Sequence, residues 1–500
     1  MEGRRATEQS SAFQVKLAAK MPAVLLLVAV LLPLVTTAPF QQRSATTKLL
    51  LVSFDGFRWN YEIDVDMPNL DAMAKDGVKA RYLSPAFITI TSPCHFTLLT
   101  GKYIENHGVI HNMYFNTTNG VKLPYYPTQG ISKWWDNGSL PIWITAQRQG
   151  LKTGSLFFPG GNATYQGEEV SVKKVESGFH KWNNKTEWAE NIETVMSWFT
   201  ERDLDFVALY FGEPDSTGHK FGPESQETKE MVRQVDWAIG HIRSRIEHYG
   251  LKSKLNLIIT ADHGMRTVLK EPAVNEIVLS RIANFSFKDL QFELLDYGPT
   301  GLLLPKEGKL EQVYQALKNG HPHLNVYKKE ELPERLHYTK SPRIPPLVLY
   351  GDPGYVIHGK IKVQNNKGEH GFDNDDMDMK TIFRAVGPSF KRNLMVEPFD
   401  SVHIYALMCE LLGISPEAHD GSLEVTKTLL VDSNPSTTET STLPAETSTL
   451  PGVTPSPSQS QVGFIVVIVL GSITGVLLLI FLIGLIGTSV SRKRKARRCK

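Results

Sequence analysis

Cysteine is scarce in this 500-residue chain, which has only Cys94, Cys409 and Cys499. Three cysteines cannot build a disulfide scaffold, and because Cys499 lies in a basic tail, at most one bridge, Cys94 to Cys409, is available to the body. A basic face is also missing from the body: the formal net charge is only +2, and the densest basic run is the tail at 492–500. Proteins that bind nucleic-acid phosphates usually show such a face, so no nucleic-acid partner is expected.

The two ends of the chain carry targeting signals. Basic residues precede an apolar run at 23–35 and small residues follow it, which is typical of a secretory signal peptide, here residues 1–38. An uncleaved anchor is the alternative, which the short run disfavours. Residues 462–490 are almost wholly apolar and long enough to cross a bilayer as a transmembrane helix, and the basic residues in 491–500 indicate a cytoplasmic tail. We therefore expect a type I single-pass protein of the plasma membrane.

Between these signals we expect one catalytic ectodomain, residues 39–432, and a stalk at 433–461. The stalk is rich in Ser, Thr and Pro and contains ETSTLP twice, a composition that cannot build a core and suits an extended, O-glycosylated segment. The body has five N-x-S/T sequons, which together with the signal peptide predict a glycosylated, extracellular domain. They lie at Asn116, Asn137, Asn162, Asn184 and Asn284.

Three short apolar runs have the length and composition of strands buried on both faces. They span residues 48–54, 206–211 and 255–260. Helix-like stretches lie between them, such as 187–199 and 227–249. Alternating strands and helices predict an α/β fold with a mostly parallel sheet flanked by helices. Ligands of such sheets bind beyond the carboxyl ends of the strands.

The residues that follow these runs have the chemistry of zinc ligands, since zinc in hydrolases takes carboxylates and imidazoles. They are Asp55, Asp215, His219, Asp262 and His263. A single Asp after a strand is more often a helix N-cap, but three such ends, two of them with His, are hard to explain as caps. The i, i+4 spacing of Asp215 and His219 brings both to one side of a helical turn. His370, in a polar loop, would close the set, although a lone loop histidine is an ordinary residue.

Thr91 is the candidate nucleophile. Thr91 and Ser92 precede Pro93, and because proline favours the first turn of a helix, a helix is predicted to begin near Cys94. A hydroxyl there meets the positive end of the helix dipole. A free threonine hydroxyl is a poor nucleophile, but metal coordination activates it by stabilising the alkoxide. The alternative is a plain Thr/Ser helix cap.

Taken together, the motifs resemble the nucleotide pyrophosphatase/phosphodiesterase family of the alkaline phosphatase superfamily. The matching segments are VSFDGFRW from Val52, TSPCHFTLLTGKYIENHG from Thr91, GEPDSTGH from Gly212, ITADHGM from Ile259 and GEHGFDN from Gly368. The resemblance implies two Zn²⁺ ions per chain. One would be held by Asp215, His219 and His370, and the other by Asp55, Asp262, His263 and the nucleophile Thr91. It also implies that Asn112 helps the backbone of Thr91 to hold a phosphate oxygen.

The resemblance is closest to the sphingomyelin-cleaving branch of this family. It implies a phosphodiesterase of phospholipase C type that converts sphingomyelin to ceramide and phosphocholine through a phospho-threonine intermediate, with choline lysophospholipids as further substrates. Nucleotide-cleaving relatives carry Asn at the position of Cys94, which disfavours the alternative of a nucleotide phosphodiesterase. A catalytically silent ectodomain is a further alternative, disfavoured because no metal-ligand position is missing.

Choline recognition needs an aromatic or acidic surface for a quaternary ammonium group. The aromatic residues Phe158, Tyr165 and Trp182 lie in a glycine-rich, glycosylated stretch after the nucleophile helix. They are candidates for that surface, and a role in the core is the alternative for each of them.

Overall fold

The three apolar runs lie side by side at the centre of the main sheet. The computed structural model describes residues 47–178, 181–270 and 276–431. In chain order the strands of this part are β1 (Lys48–Phe54), β2 (Val78–Ala80), β3 (Leu83–Ser84), β4 (Tyr114–Phe115), β5 (Lys122–Leu123), β6 (Thr153–Leu156), β7 (Val172–Lys174), β8 (Phe206–Phe211), β9 (Leu255–Thr260), β10 (Arg266–Thr267), β11 (Ile277–Val278), β12 (Leu290–Tyr297), β13 (Thr300–Pro305), β14 (Leu324–Lys328), β15 (Leu347–Gly351), β16 (Ile357–His358), β17 (Gly368–Glu369), β18 (Phe383–Val386), β19 (Leu394–Val396) and β20 (Phe399–Asp400).

The main sheet of the described residues has eight strands in the order β19-β2-β18-β9-β1-β8-β6-β7. β1 is parallel to both β8 and β9, and β6 is parallel to both β7 and β8. β18 runs antiparallel to β9 and β2, and β19 is parallel to β2. The predicted α/β fold with a mostly parallel sheet is therefore confirmed.

The central strands explain why ligands collect at one edge of the sheet. Every residue of β8 and β9 is buried, as is β1 after its first residue, which is what a sheet covered on both faces requires. The register pairs Phe54 with Phe211 and Ser53 with Thr260. Because the three strands run in the same direction and end at the same level, the residues that follow them emerge together.

Most helices of the described residues pack around this sheet, whereas the helix Leu310–Lys318 packs against strands β13 and β14. The helices are α1 (Tyr61–Asp64), α2 (Pro68–Asp76), α3 (Thr91–Thr100), α4 (Ile104–His107), α5 (Tyr125–Gln129), α6 (Ser132–Trp135), α7 (Ile142–Arg148), α8 (Lys185–Thr200), α9 (Asp215–Phe221), α10 (Gln226–His248), α11 (Leu310–Lys318), α12 (Ile404–Leu412) and α13 (Leu423–Thr426).

Helix starts differ from the predictions by one to three residues. The predicted helices at 187–199 and 227–249 are present as α8 and α10, which begin slightly earlier because Asn184 and Ser225 cap their first backbone N–H groups. The helix α3, which carries the candidate nucleophile, begins at Thr91 rather than near Cys94. The backbone is still extended at Ile90 and becomes helical at the next residue.

A second, antiparallel sheet was not predicted. Its order is β12-β13-β15-β14, and it has its own apolar cluster, which includes Leu303, Val326 and Leu349. The strand β12 ends at Tyr297, and this strand end reaches the candidate site described below.

Several sequence predictions fall outside the described residues. These are the signal peptide at 1–38, the stalk at 433–461, the transmembrane helix at 462–490 and the tail at 491–500. In the part of the chain that is described, no helix has the length and apolar character needed to cross a membrane. Within the same part, Cys94 and Cys409 are both buried and free, so the bridge between them is not formed.

Candidate metal centre and active site

Two groups of potential metal ligands meet beyond the carboxyl ends of β1, β8 and β9. Within each group, the ligand atoms all lie within 4.8 Å of one another. The first group is Asp55, Asp262 and His263, and the second is Asp215, His219 and His370. The structure therefore brings together six of the seven predicted ligands, all except Thr91, in the same two groups that the resemblance implied.

The first group lies against the predicted nucleophile. His263 Nε2 is 3.1 Å from Asp262 Oδ2 and 3.5 Å from Asp55 Oδ1. The hydroxyl Oγ1 of Thr91 is 3.4 Å from the same His263 Nε2. Thr91 is the first residue of α3, so its hydroxyl lies at the positive end of that helix. The hydroxyl of the candidate nucleophile therefore lies next to this ligand group.

The second group is centred on Asp215. Its Oδ1 lies 3.4 Å from His219 Nε2 and 3.5 Å from His370 Nε2. The rings of His370 and His263 stack with centroids 3.6 Å apart, which joins the second group to the first.

Backbone carbonyl groups orient all three histidines. The Nδ1 atom of His219 lies 2.9 Å from the carbonyl oxygen of Gly368, that of His263 lies 2.9 Å from Gly264, and that of His370 lies 2.8 Å from Thr89. A histidine that donates from Nδ1 presents a lone pair at Nε2, and metal-binding histidines are commonly held in this way. Each Nε2 here faces a carboxylate of its group.

Within the described part of the chain, each of the three carboxylates has one oxygen without a hydrogen bond. Among the described residues, Asp55 Oδ1, Asp215 Oδ1 and Asp262 Oδ2 are buried without a hydrogen-bond partner. Burial raises the pKa of Asp55 well above its usual value, and the nearby charges of Asp262 and Asp215 raise it further. Buried carboxylates with free oxygens are costly unless a cation binds them, so this donor set fits divalent metal ions.

The second group also attracts positive charge. Burial would lower the pKa of His219, but the carboxylates of Asp215 and Glu369 outweigh it and raise that pKa to about 9. A bound cation would satisfy the same carboxylates and leave His219 as a neutral ligand.

Groups around the ligands hold them in place. The hydroxyl of Tyr210, on β8, donates to Asp55 Oδ2, and the backbone N–H of Gly56 donates to Asp262 Oδ1 at 3.1 Å. Gly56 has a φ of +69°, and a Cβ there would lie 2.9 Å from the Cα of Asp215. Only glycine therefore allows the turn after β1 to approach α9 so closely.

Asn112 lies beside the nucleophile, as the resemblance implied. Its Oδ1 accepts from the backbone N–H of Ser92 at 2.7 Å, and its Nδ2 donates to the hydroxyl of Tyr297 at 2.8 Å. The amide is thus held at the start of α3. The contact with Tyr297 could not be read from the sequence, because that tyrosine comes from the unpredicted antiparallel sheet.

The three aromatic candidates for choline recognition are all buried in the main apolar cluster, but they differ in their contacts. Tyr165 is fully buried and its hydroxyl donates to the carbonyl of Gly160 at 2.8 Å, a core position. Phe158 packs edge-on against His95 with ring centroids 5.0 Å apart. Trp182 packs edge-on against Tyr210 at 5.1 Å, one side chain away from Asp55. Trp182 and Phe158 are therefore the candidates closest to the ligands.

A small cleft beside these aromatics contains residues that the sequence did not single out. Tyr125, Phe157, Phe158 and Glu176 are among its lining residues. The ring of Phe158 lies 6.5 Å from that of Tyr210, whose hydroxyl binds Asp55, and packs against His95, whose Nδ1 is 3.4 Å from Asp262 Oδ2. The cleft therefore adjoins the first ligand group.

Glu176 is the acidic group of this cleft. Burial raises its pKa to about 8, although a hydrogen bond from Tyr126 opposes the shift. Among the described residues, its Oε1 is buried without a hydrogen-bond partner. Lys174 also lines the cleft, but its ammonium group binds Asn191 Oδ1 at 2.7 Å and lies over the ring of Phe157.

Cys94 binds backbone groups rather than the candidate ligands. Its side chain is buried and donates to the carbonyl oxygens of Ala86 and Ile88 at 3.4 and 3.5 Å. An asparagine amide can donate to the same carbonyl groups. No contact of Cys94 within the described residues therefore explains a preference against nucleotide substrates.

The five sequon asparagines all lie in the described part of the chain. Asn137, Asn184 and Asn284 are exposed, whereas Asn116 and Asn162 are half-buried. Their glycosylation stays a prediction.

Fold and site together define a phosphodiesterase of the alkaline-phosphatase-like class. Residues 49–373 match the family described as type I phosphodiesterase / nucleotide pyrophosphatase. The chain belongs to this family and is a phosphoric diester hydrolase, which confirms the resemblance drawn from the motifs.

Three members of this family show how similar the chain is to known proteins. It is 66% identical over 404 residues to ectonucleotide pyrophosphatase/phosphodiesterase family member 7 of Homo sapiens, covering 80% of this chain and 88% of that protein. The rat protein of the same name, from Rattus norvegicus, is 63% identical over 414 residues, covering 83% and 94%. The fold matches a solved structure of murine ectonucleotide pyrophosphatase/phosphodiesterase 5, an inactive variant in complex with AMP, with a TM-score of 0.71 and 34% identity, covering 77% of this chain and 100% of that chain.

Proposed function

We propose that the protein is a zinc-dependent phosphodiesterase of phospholipase C type that hydrolyses sphingomyelin to ceramide and phosphocholine. The observation that carries this proposal is the position of Thr91, which starts α3 and lies 3.4 Å from a histidine of the first ligand group. A nucleophile, two groups of N and O ligands and a positioned amide are the components of a two-metal phosphoryl-transfer site. Choline lysophospholipids are proposed as further substrates.

The two ligand groups fit two Zn²⁺ ions. Asp215, His219 and His370 would hold one ion, and Asp55, Asp262 and His263 would hold the other together with Thr91. When bound, such ions stabilise an alkoxide nucleophile, offset charge on the attacking and leaving oxygens, and lower the pKa of water for the second step.

The residues of the chain divide the remaining work. Thr91 Oγ1 loses its proton to solvent and attacks the phosphorus in line with the bond to the ceramide oxygen. That P–O bond breaks, ceramide leaves as the alcohol after its oxygen takes a proton from water, and the phosphocholine group is left esterified to Thr91. Asn112 lies at the start of α3 beside Thr91, where its Nδ2 group and the backbone N–H of Thr91 can bind a phosphate oxygen. Attack by water on the same phosphorus then releases phosphocholine and restores the threonine.

An acidic, aromatic cleft supports a choline head group. Phe158, Tyr125 and Glu176 line it, and Trp182 lies next to it against Tyr210. Aromatic faces attract quaternary ammonium groups, and an ionised carboxylate beside them balances the charge. The cleft has a volume of only about 20 Å³, room for about one water molecule, so its lining side chains must move apart to admit a head group. We propose that they do so, and that the cleft, without Tyr165, receives the choline of a substrate whose phosphorus lies at Thr91.

A nucleotide phosphodiester is the second candidate substrate. The observation that favours it is the similarity in fold to a relative solved with AMP. The two candidates are separated by assaying one preparation on sphingomyelin and on a p-nitrophenyl nucleotide ester, each with and without a chelator. Chelator-sensitive release of phosphocholine with much weaker nucleotide cleavage supports the lipid. The reverse preference would assign the site to nucleotides.

We further propose that the catalytic domain lies outside the cell, on a type I single-pass protein of the plasma membrane. This rests on the apolar runs near the two ends of the chain and on the sequons. A surface-biotinylation assay on intact cells, read with an antibody to the catalytic domain, tests it.

A further inference from the structure

The hydroxyl of Tyr297 lies beside the start of the helix that carries the proposed nucleophile. Tyr297 is the last residue of β12 in the second sheet, and Asn112 Nδ2 donates to its hydroxyl at 2.8 Å. Asn112 Oδ1 accepts from the backbone N–H of Ser92, the residue after Thr91, at 2.7 Å. One amide side chain therefore joins Tyr297 to the first turn of α3.

The backbone fixes the direction of the bond between Asn112 and Tyr297. The N–H of Ser92 can only donate, so the atom of Asn112 that faces it must be the oxygen Oδ1, and Nδ2 then faces Tyr297. The tyrosine oxygen is the acceptor in this bond, which leaves its own proton for another group. Within the described part of the chain, that proton has no acceptor.

The turn that follows Tyr297 packs against the second ligand group. Gly298 has a φ of +68°, and a Cβ there would lie 3.1 Å from the carbonyl oxygen of His370, so this close approach favours glycine. The ring of Tyr297 packs edge-on against His111, with centroids 4.7 Å apart. These contacts hold the half-buried tyrosine between the start of α3 and the loop that carries His370.

We propose that Tyr297 donates a hydrogen bond to a non-bridging oxygen of the substrate phosphate, the same oxygen that Asn112 Nδ2 and the backbone N–H of Thr91 bind. A phosphodiester carries its negative charge on its two non-bridging oxygens, and a charged acceptor strengthens a hydrogen bond. The inference rests on the proposed nucleophile Thr91. It does not depend on the choline lipid, because every phosphodiester presents these oxygens.

The surroundings keep this hydroxyl available as a donor. Burial raises the pKa of Tyr297 above its usual value, although the hydrogen bond from Asn112 opposes the shift. The phenol therefore stays protonated at neutral and moderately alkaline pH. Because His111 and Asn112 already hold the ring and the oxygen, the donor needs little reorganisation when substrate binds.

The variant Tyr297→Phe removes the donor and keeps the ring. Methyl p-nitrophenyl phosphate is a suitable substrate, because it carries neither choline nor a nucleoside. The full-length variant should lose roughly 10- to 100-fold in kcat/KM on this ester, as expected for a hydrogen bond to a charged group, with its zinc content and melting temperature unchanged. The control Tyr314→Phe removes a hydroxyl on α11 that donates to Glu331 and should keep the parent's rate. An unchanged rate for Tyr297→Phe would overturn the proposal.

Two further measurements separate a direct contact with phosphate from a role in positioning Asn112. In the background of Asn112→Ala, Tyr297→Phe should still lower kcat/KM by roughly tenfold. The absence of a further loss in that background would show that the tyrosine acts only through Asn112.

The second measurement uses the two enantiomers of methyl p-nitrophenyl phosphorothioate. Sulfur is a weak hydrogen-bond acceptor, so Tyr297→Phe should differ little from the parent on the enantiomer that places sulfur at the contacted position. On the other enantiomer it should show the full loss. Equal losses on both enantiomers would place the hydroxyl away from the phosphate and overturn the contact.

The same oxygen ester distinguishes this inference from the proposed function. If Thr91→Ala kept the parent's rate on it, the proposed nucleophile would fail. If the parent cleaved the ester but not sphingomyelin, the proposed lipid would fail, and the effects of Tyr297→Phe would still decide the role of Tyr297.

Discussion

The hydroxyl of Tyr210, on β8, donates a hydrogen bond to Asp55, which follows the neighbouring parallel strand β1. The bond leaves Asp55 Oδ1 to face the ligand group and fixes the rotation of the carboxylate. Burial raises the pKa of Tyr210 well above its usual value, and the charge of Asp55 raises it further, so this hydroxyl remains a donor at alkaline pH.

The variant Tyr210→Phe should therefore bind metal more weakly without losing its fold. Loss of a group that orients a ligand typically costs roughly 10- to 100-fold in metal affinity. Titration of activity with buffered zinc should show the midpoint move to higher free zinc, with the maximal rate largely recovered at saturation. An unchanged midpoint would show that the bond does not orient the ligand.

Removal of metal should destabilise the protein. Within the described part of the chain, each of the three buried carboxylates has one oxygen without a hydrogen-bond partner, so a cation that binds only the folded state should stabilise it. At a free metal concentration of about 1,000 times Kd, the linked stabilisation is about 4 kcal/mol. Thermal unfolding with and without a chelator measures it. Equal melting temperatures would contradict a structural contribution from metal.

Glu176 should make choline binding depend on pH. Its pKa is raised to about 8 by burial, so the carboxyl group is neutral below that pH and charged above it. The charged form attracts a quaternary ammonium group, so KM for a choline diester should fall as pH rises through about 8. Glu176→Gln should remove this dependence, whereas KM for a diester without choline should be unaffected in both proteins.

The same shift has a consequence for stability. Between the usual pKa of a glutamate and about 8, the folded protein retains a proton that the unfolded chain has lost. The stability contribution of Glu176 therefore decreases as pH rises through this window. Urea unfolding across it should show a smaller decrease for Glu176→Gln than for the parent, and identical slopes would place the carboxyl group in water.

Cys94→Asn should leave the substrate preference unchanged. The cysteine faces the carbonyl groups of Ala86 and Ile88 rather than the ligands, and asparagine can donate to both. We expect the ratio of sphingomyelin to nucleotide cleavage to change by less than about twofold, since no substrate contact is altered. A large shift toward nucleotides would show that the position acts on substrate through α3.

The local sequence was enough to identify the candidate metal ligands, but not the residues that surround them. Asp55, Asp215 and Asp262 follow apolar strands, so the rule that ligands bind at the carboxyl ends of a parallel sheet located them. Tyr297 and Glu176 have no such signal, because they reach the site from other parts of the fold.

The sequence also suggested contacts that the structure does not form. Tyr165 is aromatic, as a choline-binding residue is expected to be, but its ring is fully buried. Cys94 was a candidate for a bridge to Cys409, but both cysteines are free and Cys94 instead binds the carbonyl of Ala86. Which face of a helix a residue occupies depends on where the helix begins, and the predicted start near Cys94 was three residues late.

The most direct measurement of the central claim is rapid chemical quench with sphingomyelin, followed by mass spectrometry of the peptide that contains Thr91. We expect a phosphocholine group on Thr91 that forms before free phosphocholine accumulates. Thr91→Ala should show no adduct and almost no turnover, with its zinc content retained. Wild-type turnover by Thr91→Ala, or an adduct on another residue, would contradict the assignment of Thr91 as the nucleophile.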